Sequence, residues 1–134
     1  MDDIKVSIIC NTYNQESYIR DALNSFVMQK TDFKFEVLVH DDASTDNTPN
    51  IIKEFEEKYP DIIKPIYQTE NQYSKKIPIT KTFTLPRAKG KYFAYCEGDD
   101  YWTDELKLQK QYDVLEAHPD IDMCAHSTNM VCAD

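Results

Sequence analysis

VSIICNTYNQESYIRDALNSFVMQ, residues 6–29, changes its periodicity partway along. Val6 to Cys10 form a short, nearly unbroken apolar run, the pattern of a buried strand. The polar loop NTYN follows, and then Tyr18, Ile19, Ala22, Leu23, Phe26 and Val27 recur at helical spacing. Strand, loop and helix therefore follow one another within a single stretch. The next stretch does the same: FEVLVHDD, residues 35–42, reads as a strand running into acids. The loop ASTDNT leads on to a helix with Thr48 as N-cap, Pro49 as its first residue, and Ile51, Ile52, Phe55 and Tyr59 as its apolar face.

Further on, a third strand is expected over residues 62–68, at a sheet edge or irregular because Pro65 cannot donate to a ladder. Residues 69–79 read as a loop and residues 80–88 as a helix. KYFAYCE, residues 91–97, forms a fourth strand after Gly90. Thr103 caps a helix over residues 104–118, which stops at Pro119, and IDMCAH, residues 121–126, is a last strand. Alternation of this kind predicts one α/β domain, a mostly parallel sheet flanked by helices. Ligands bind such sheets at the carboxyl ends of the strands, beside the point where strand order reverses. Three unusual loops stand at strand ends: NTYN, DDASTD and EGDDYW.

The 134 residues carry 15 basic and 24 acidic side chains, a net charge of -9 that opposes binding to a phosphate backbone. No apolar run is long enough for a membrane span, and the start MDDIKV has no signal-peptide pattern. The expected location is cytoplasmic. Cys10, Cys96, Cys124 and Cys132 lack the spacing of a zinc site or a disulfide scaffold, and Cys10 and Cys96 read as buried core residues. His40, His118 and His126 are too far apart in sequence to suggest a metal cluster, and Tyr101 and Trp102 read as anchors for their loop.

Phosphate cradles built from backbone amides need glycine, and the chain has only Gly90 and Gly98, with neither GxGxxG nor GxxxxGK[ST]. A phosphorylated ligand would then be met by a divalent cation on carboxylates, and Glu97, Asp99 and Asp100 cluster where such a cation would sit. Aspartate pairs are also common in turns, as acceptors for local backbone amides. Two pairs, Asp41-Asp42 and Asp99-Asp100, each ending an apolar strand, exceed what turn formation requires.

Taken together, VSIICNTYNQESYIRDALNSFVMQ, FEVLVHDDASTDNT and AKGKYFAYCEGDDYWTDELKLQKQ resemble, in order and spacing, the donor-binding part of a family 2 glycosyltransferase. The resemblance implies the Rossmann-like GT-A fold with strand order 3-2-1-4, and residues 1–134 as its nucleotide-sugar-binding part. It implies that Thr12, Tyr13 and Asn14 line the nucleoside pocket and that Glu16 helps close it. Asp42 would hydrogen-bond the base with Asp41 in support. EGDD corresponds to the DxD region with Glu97 replacing its first aspartate, so that Asp99 faces ribose and metal and Asp100 is the most direct ligand of Mn2+ or Mg2+. Lys81 would replace an arginine near the diphosphate.

The implied reaction is inverting transfer from a nucleotide-diphosphate sugar, a UDP-sugar by expectation, to a hydroxyl of a glycan or lipid-linked acceptor. In the full-length protein the enzyme would be peripheral to the membrane. Such transfer needs a general base, and Asp120, Asp122 and Asp134 match no motif for it, so the base is expected beyond Asp134 and the acceptor-binding half to be absent. Two other readings remain at this stage. One is a non-catalytic nucleotide-sugar-binding or interaction module; the other is a phosphoacceptor signalling domain, which would place its acid pair after the first strand instead.

Overall fold

The structure, a computed structural model, describes residues 3–132, so Asp134 lies outside them. In chain order its main elements are β1 (Ile4–Thr12), α1 (Ile19–Val27), β2 (Lys34–Asp41), α2 (Thr48–Lys58), β3 (Ile63–Tyr67), β4 (Tyr92–Tyr95) and α3 (Lys107–Ala117). The four strands are parallel and lie in the order β3-β2-β1-β4, the arrangement expected from the resemblance. Thr12 stands beside Asp41 across β1 and β2, and Ile9 beside Tyr95 across β1 and β4. The order reverses between β1 and β4, so a crevice is expected where their carboxyl ends meet.

Side-chain alternation divides the sheet into two different faces. Val6, Ile8, Cys10, Phe35, Val37 and Val39 join Leu23, Phe26, Ile52, Phe55, Trp102 and Leu108 in one buried cluster, which places all three α-helices on that face. Trp102 meets Phe26 edge-on at 4.9 Å, while Tyr101 is exposed, so of the two expected anchors only Trp102 packs in the core. On the opposite face Ser7, Asn11, Glu36 and His40 are covered by the segment that precedes β4. There Glu36 Oε1 accepts the Ser7 hydroxyl at 2.7 Å and the Lys89 amide at 2.8 Å, and Ser7 Oγ accepts the Gly90 amide at 2.9 Å. A Cβ on Gly90 would lie 2.5 Å from the Ser7 amide nitrogen, so only glycine lets β4 enter this close to β1.

Four element boundaries differ from the sequence expectation. Thr48 begins α2, but Asn47 holds the cap position, and the Thr48 hydroxyl accepts the Gln15 amide at 3.0 Å instead of capping its own helix. Residues 80–88 are not an α-helix: a π-helical turn (Thr80–Thr84) runs into a 3₁₀ turn (Leu85–Arg87), because Pro86 has no N–H for an α-helical bond. Thr103 caps nothing, and α3 starts at Lys107. The Asp104 and Glu105 carbonyls are taken by Gln29 Nε2 and the Lys30 amide, both at 2.8 Å, which ties the preceding segment to the end of α1. IDMCAH forms no strand; Ile121 and Met123 are exposed, and no described strand pairs with the outer edge of β4. Without a ladder or a buried face, an extended segment has little to hold it. Among the described residues no helix is long and apolar enough to cross a membrane.

Candidate functional site

The three loops singled out in the sequence meet at the carboxyl end of the sheet. β1 and β4 continue their pairing past the strand ends, with the Cys96 amide on the Ile9 carbonyl and the Gly98 amide on the Asn11 carbonyl, each 3.1 Å. The turn carrying Glu97, Asp99 and Asp100 is thereby held directly against the end of β1. Close packing enforces this: a Cβ on Gly98 would lie 2.5 Å from Gln15 Oε1 and 2.7 Å from Thr12 Oγ1.

The loops after β1 and β2 interlock. Asn14 adopts a left-handed backbone, φ 48°, that frees its side chain to accept the Thr45 amide at 2.8 Å, while its own amide donates to Ser44 Oγ at 2.9 Å. Glu16 Oε2 accepts the Asn47 amide at 3.0 Å, so this carboxylate braces the second loop. Tyr13 is exposed. Ala43 sits at φ 61°, an unfavourable conformation for a residue with a Cβ, between Asp42 and Ser44.

The two acids after β2 are buried and divide their work. Asp41 accepts the Ser44 hydroxyl at 2.5 Å, and burial raises its carboxyl above the usual range against the pull of that bond. Asp42 accepts the amides of Gln72 and Tyr73 at 2.7 and 3.0 Å, one on each oxygen, and its carbonyl accepts Asn71 Nδ2 at 3.1 Å. It fastens the loop over residues 71–76 to the end of β2, a role that no sequence motif signals.

Lys81 is exposed on the π-helical turn, one residue past Thr80, whose hydroxyl accepts Asn11 Nδ2 at 2.9 Å. Cross-strand neighbours Asn11 and His40 both lie beneath this turn; His40 stacks on Phe83 and contacts Gln68 Nε2 at 3.1 Å. Asn11 Oδ1 and His40 Nδ1 are buried without a hydrogen-bond partner among the described residues. Burial holds the His40 imidazole below its usual pKa, against the opposing influence of Asp42 and Asp41.

Glu97, Asp99 and Asp100 are all exposed at the turn. Desolvation, and then the charges of Asp99 and Asp100, raises the Glu97 carboxyl above the usual range. Among the described residues no three His, Cys, Asp or Glu side chains converge closely enough to enclose a metal ion. One or two exposed carboxylates completed by substrate oxygens are, however, the ordinary way Mg2+ is held, and the unrelieved repulsion on Glu97 suits a cation. Asp100 and Asp99 fit such a group. Behind the turn, burial pushes the Cys96 thiol up to about 12 and the Cys10 thiol higher than usual, as inert core residues should be.

The family model for glycosyl transferase family 2 matches residues 7–130. The chain belongs to that family. Its glycosyl transferase relatives include several solved structures. Staphylococcus aureus TarS 1-349 in complex with UDP-GlcNAc superposes with a TM-score of 0.72 at 32% identity, over 87% of this chain and 32% of that one. The mannosyltransferase PcManGT from Pyrobaculum calidifontis, in complex with GDP-Man and Mn2+, gives 0.69 at 29% identity, over 83% and 32%. The uncharacterized protein Rv1520 of Mycobacterium tuberculosis is 46% identical over 131 residues, 96% of this chain and 36% of its own length. The chain thus spans about a third of these relatives.

Sequence reasoning brought Thr12, Tyr13, Asn14, Glu16, Asp41, Asp42, Glu97, Asp99 and Asp100 to this end of the sheet, where the structure has them. It passed over Gln15 and the hold of Asp42 on the 71–76 loop, and read Thr48 only as a helix cap. Gly98 was the one available signal for Gln15, since a glycine between acids marks a close approach whose partner the sequence does not name.

Proposed function

We propose that this chain binds the nucleotide-sugar donor of a glycosyltransferase, a UDP-sugar, together with Mn2+ or Mg2+. The observation that carries the reading is the seating of the acidic turn against Asn11 and Thr12 at the reversal of strand order. UDP-GlcNAc in the TarS relative supports a uridine donor, and Mn2+ in the PcManGT relative supports the cation.

In this reading Thr12, Tyr13 and Asn14 line the nucleoside pocket, and Asp42 hydrogen-bonds the base with Asp41 in support. Asp99 takes the ribose or the cation, Asp100 is the direct cation ligand, Glu97 adds negative charge behind them, and Lys81 stands by the diphosphate. A bound divalent cation would supply Lewis-acid stabilisation of the departing nucleoside diphosphate. Transfer would proceed with inversion to a glycan or lipid-linked hydroxyl. The general base would come from the polypeptide that the longer relatives carry outside the matched third.

Calorimetric titration of the chain with UDP tests this. Binding is expected with Mn2+ present, and is expected to weaken at least tenfold without the metal or in Asp100→Ala. Absence of binding, or binding indifferent to both changes, overturns the reading.

A further inference from the structure

We propose that Gln15 is a positioning residue for the acidic turn: its side chain, locked on Thr12, forms the wall against which Gly98 seats and so sets where Asp99 and Asp100 stand. The proposal rests on the donor-and-cation reading above for its functional meaning, but its geometry stands without it.

Gln15 is held from three directions. Its amide donates to Thr48 Oγ1 at 3.0 Å, at the start of α2. Its carbonyl accepts the Tyr18 and Ile19 amides, both at 2.9 Å, at the start of α1. Its Oε1 accepts the Thr12 hydroxyl at 2.7 Å, at the end of β1. The backbone therefore cannot drift, and the side chain is tied down at its tip. That tip is 2.5 Å from where a Cβ on Gly98 would be, closer than real Cβ contacts come.

Gly98 is also tied by its amide to the Asn11 carbonyl at 3.1 Å, and the Asp100 amide closes the turn on the Glu97 carbonyl at 3.0 Å. The turn is thus pinned on one side by a hydrogen bond to β1 and limited on the other by the Gln15 amide. Thr12 and Gln15 touch the glycine between the acids and leave the carboxylates themselves open. Their effect on a cation would therefore be indirect, through the placement of the turn. Gln15→Ala removes the wall and leaves the Thr12 hydroxyl without its acceptor. Gln15→Glu keeps an oxygen of the same reach to accept that hydroxyl.

Two measurements on the 134-residue chain test the proposal. In ¹⁵N-resolved NMR spectra, Gln15→Ala should shift the Gly98, Asp99 and Asp100 amides more than those of the distant β3, and Gln15→Glu should return them toward the wild-type positions. Mn2+ affinity, read by electron paramagnetic resonance well below the melting temperature, should fall about tenfold in Gln15→Ala, the low end for losing a group that orients a metal ligand. Unchanged turn amides in Gln15→Ala overturn the proposal whether or not the wild type binds nucleotide. So does Mn2+ affinity equal to that of a wild type that binds the metal. A wild-type chain that fails to bind UDP with Mn2+ is a separate result, which overturns the functional reading and leaves the amide measurement to decide the role of Gln15.

Discussion

Gly90→Ala should be among the most damaging single-methyl additions in this protein. The new Cβ would lie 2.5 Å from the Ser7 nitrogen and 2.7 Å from the Val6 carbonyl carbon, both backbone atoms of the central strand. Neither can move without disturbing the pairing of β1 with β2, so the segment entering β4 must shift instead. Overpacking of this kind costs about 1–3 kcal/mol. The shift also stretches the bonds from the Lys89 amide to Glu36 and from the Gly90 amide to Ser7, 2.8 and 2.9 Å in the native fold. Glu36 is only 1% exposed, so a lost partner is not replaced freely by water. Weakening those bonds adds about 1–3 kcal/mol.

The sum is about 2–6 kcal/mol, against a total stability of about 5–15 kcal/mol for an ordinary domain. Urea unfolding followed by circular dichroism should show the midpoint falling by about 1–3 M, taking a slope near 2 kcal/mol/M. Gly98→Ala provides the comparison, because its Cβ would meet side-chain atoms of Gln15 and Thr12, whereas that of Gly90→Ala would meet the backbone of β1. It should cost less stability than Gly90→Ala while displacing the acidic turn. A Gly90→Ala protein within about 1 kcal/mol of wild type, or one less affected than Gly98→Ala, would refute the reasoning.

Two further outcomes follow from the buried polar groups. His40 resists protonation in the fold, whereas the unfolded chain accepts a proton near pH 6.5, so stability should fall as the pH drops from about 7 to 5.5, with a limiting slope of about 1.4 kcal/mol per pH unit. His40→Gln should flatten that slope, and identical slopes would contradict the assignment; Asp41, whose pKa is raised, acts with the opposite sign at lower pH. Asp42→Asn replaces one acceptor oxygen by a donor opposite the Gln72 or Tyr73 amide, and should destabilise by about 1.5–3 kcal/mol. Hydrogen exchange at those two amides should accelerate, and unchanged protection would show that Asp42 does not hold the loop.

Much of the fold was legible because periodicity is a local property. Ile8 and Ile9 in one run, and Leu23 and Phe26 three apart in the next, announce strand and helix without knowledge of their partners. Where the starts of α2 and α3 were misread, a distant group had intervened. Thr103 had the chemistry of a cap, but Gln29 and Lys30, just past α1, bind the Asp104 and Glu105 carbonyls, and α3 starts only at Lys107. The Thr48 hydroxyl likewise accepts the Gln15 amide from another loop. IDMCAH had strand alternation and no described strand to pair with.

The candidate site divides along the same line. Which residues are chemically suited to a divalent cation follows from residue type and order: carboxylates at two strand ends, and too few glycines for an amide cradle. How those groups are used depended on contacts between segments far apart in the chain. Asp42, an acid in a strand-end pair like any other, becomes the anchor of a loop 30 residues on because Gln72 and Tyr73 turn their amides toward it. Gln15, which carries no motif, comes to abut Gly98 across the junction of β1 and β4. Local sequence records the preferences of neighbouring residues, but a wall or an anchor exists only once the parallel sheet has brought its strand ends together.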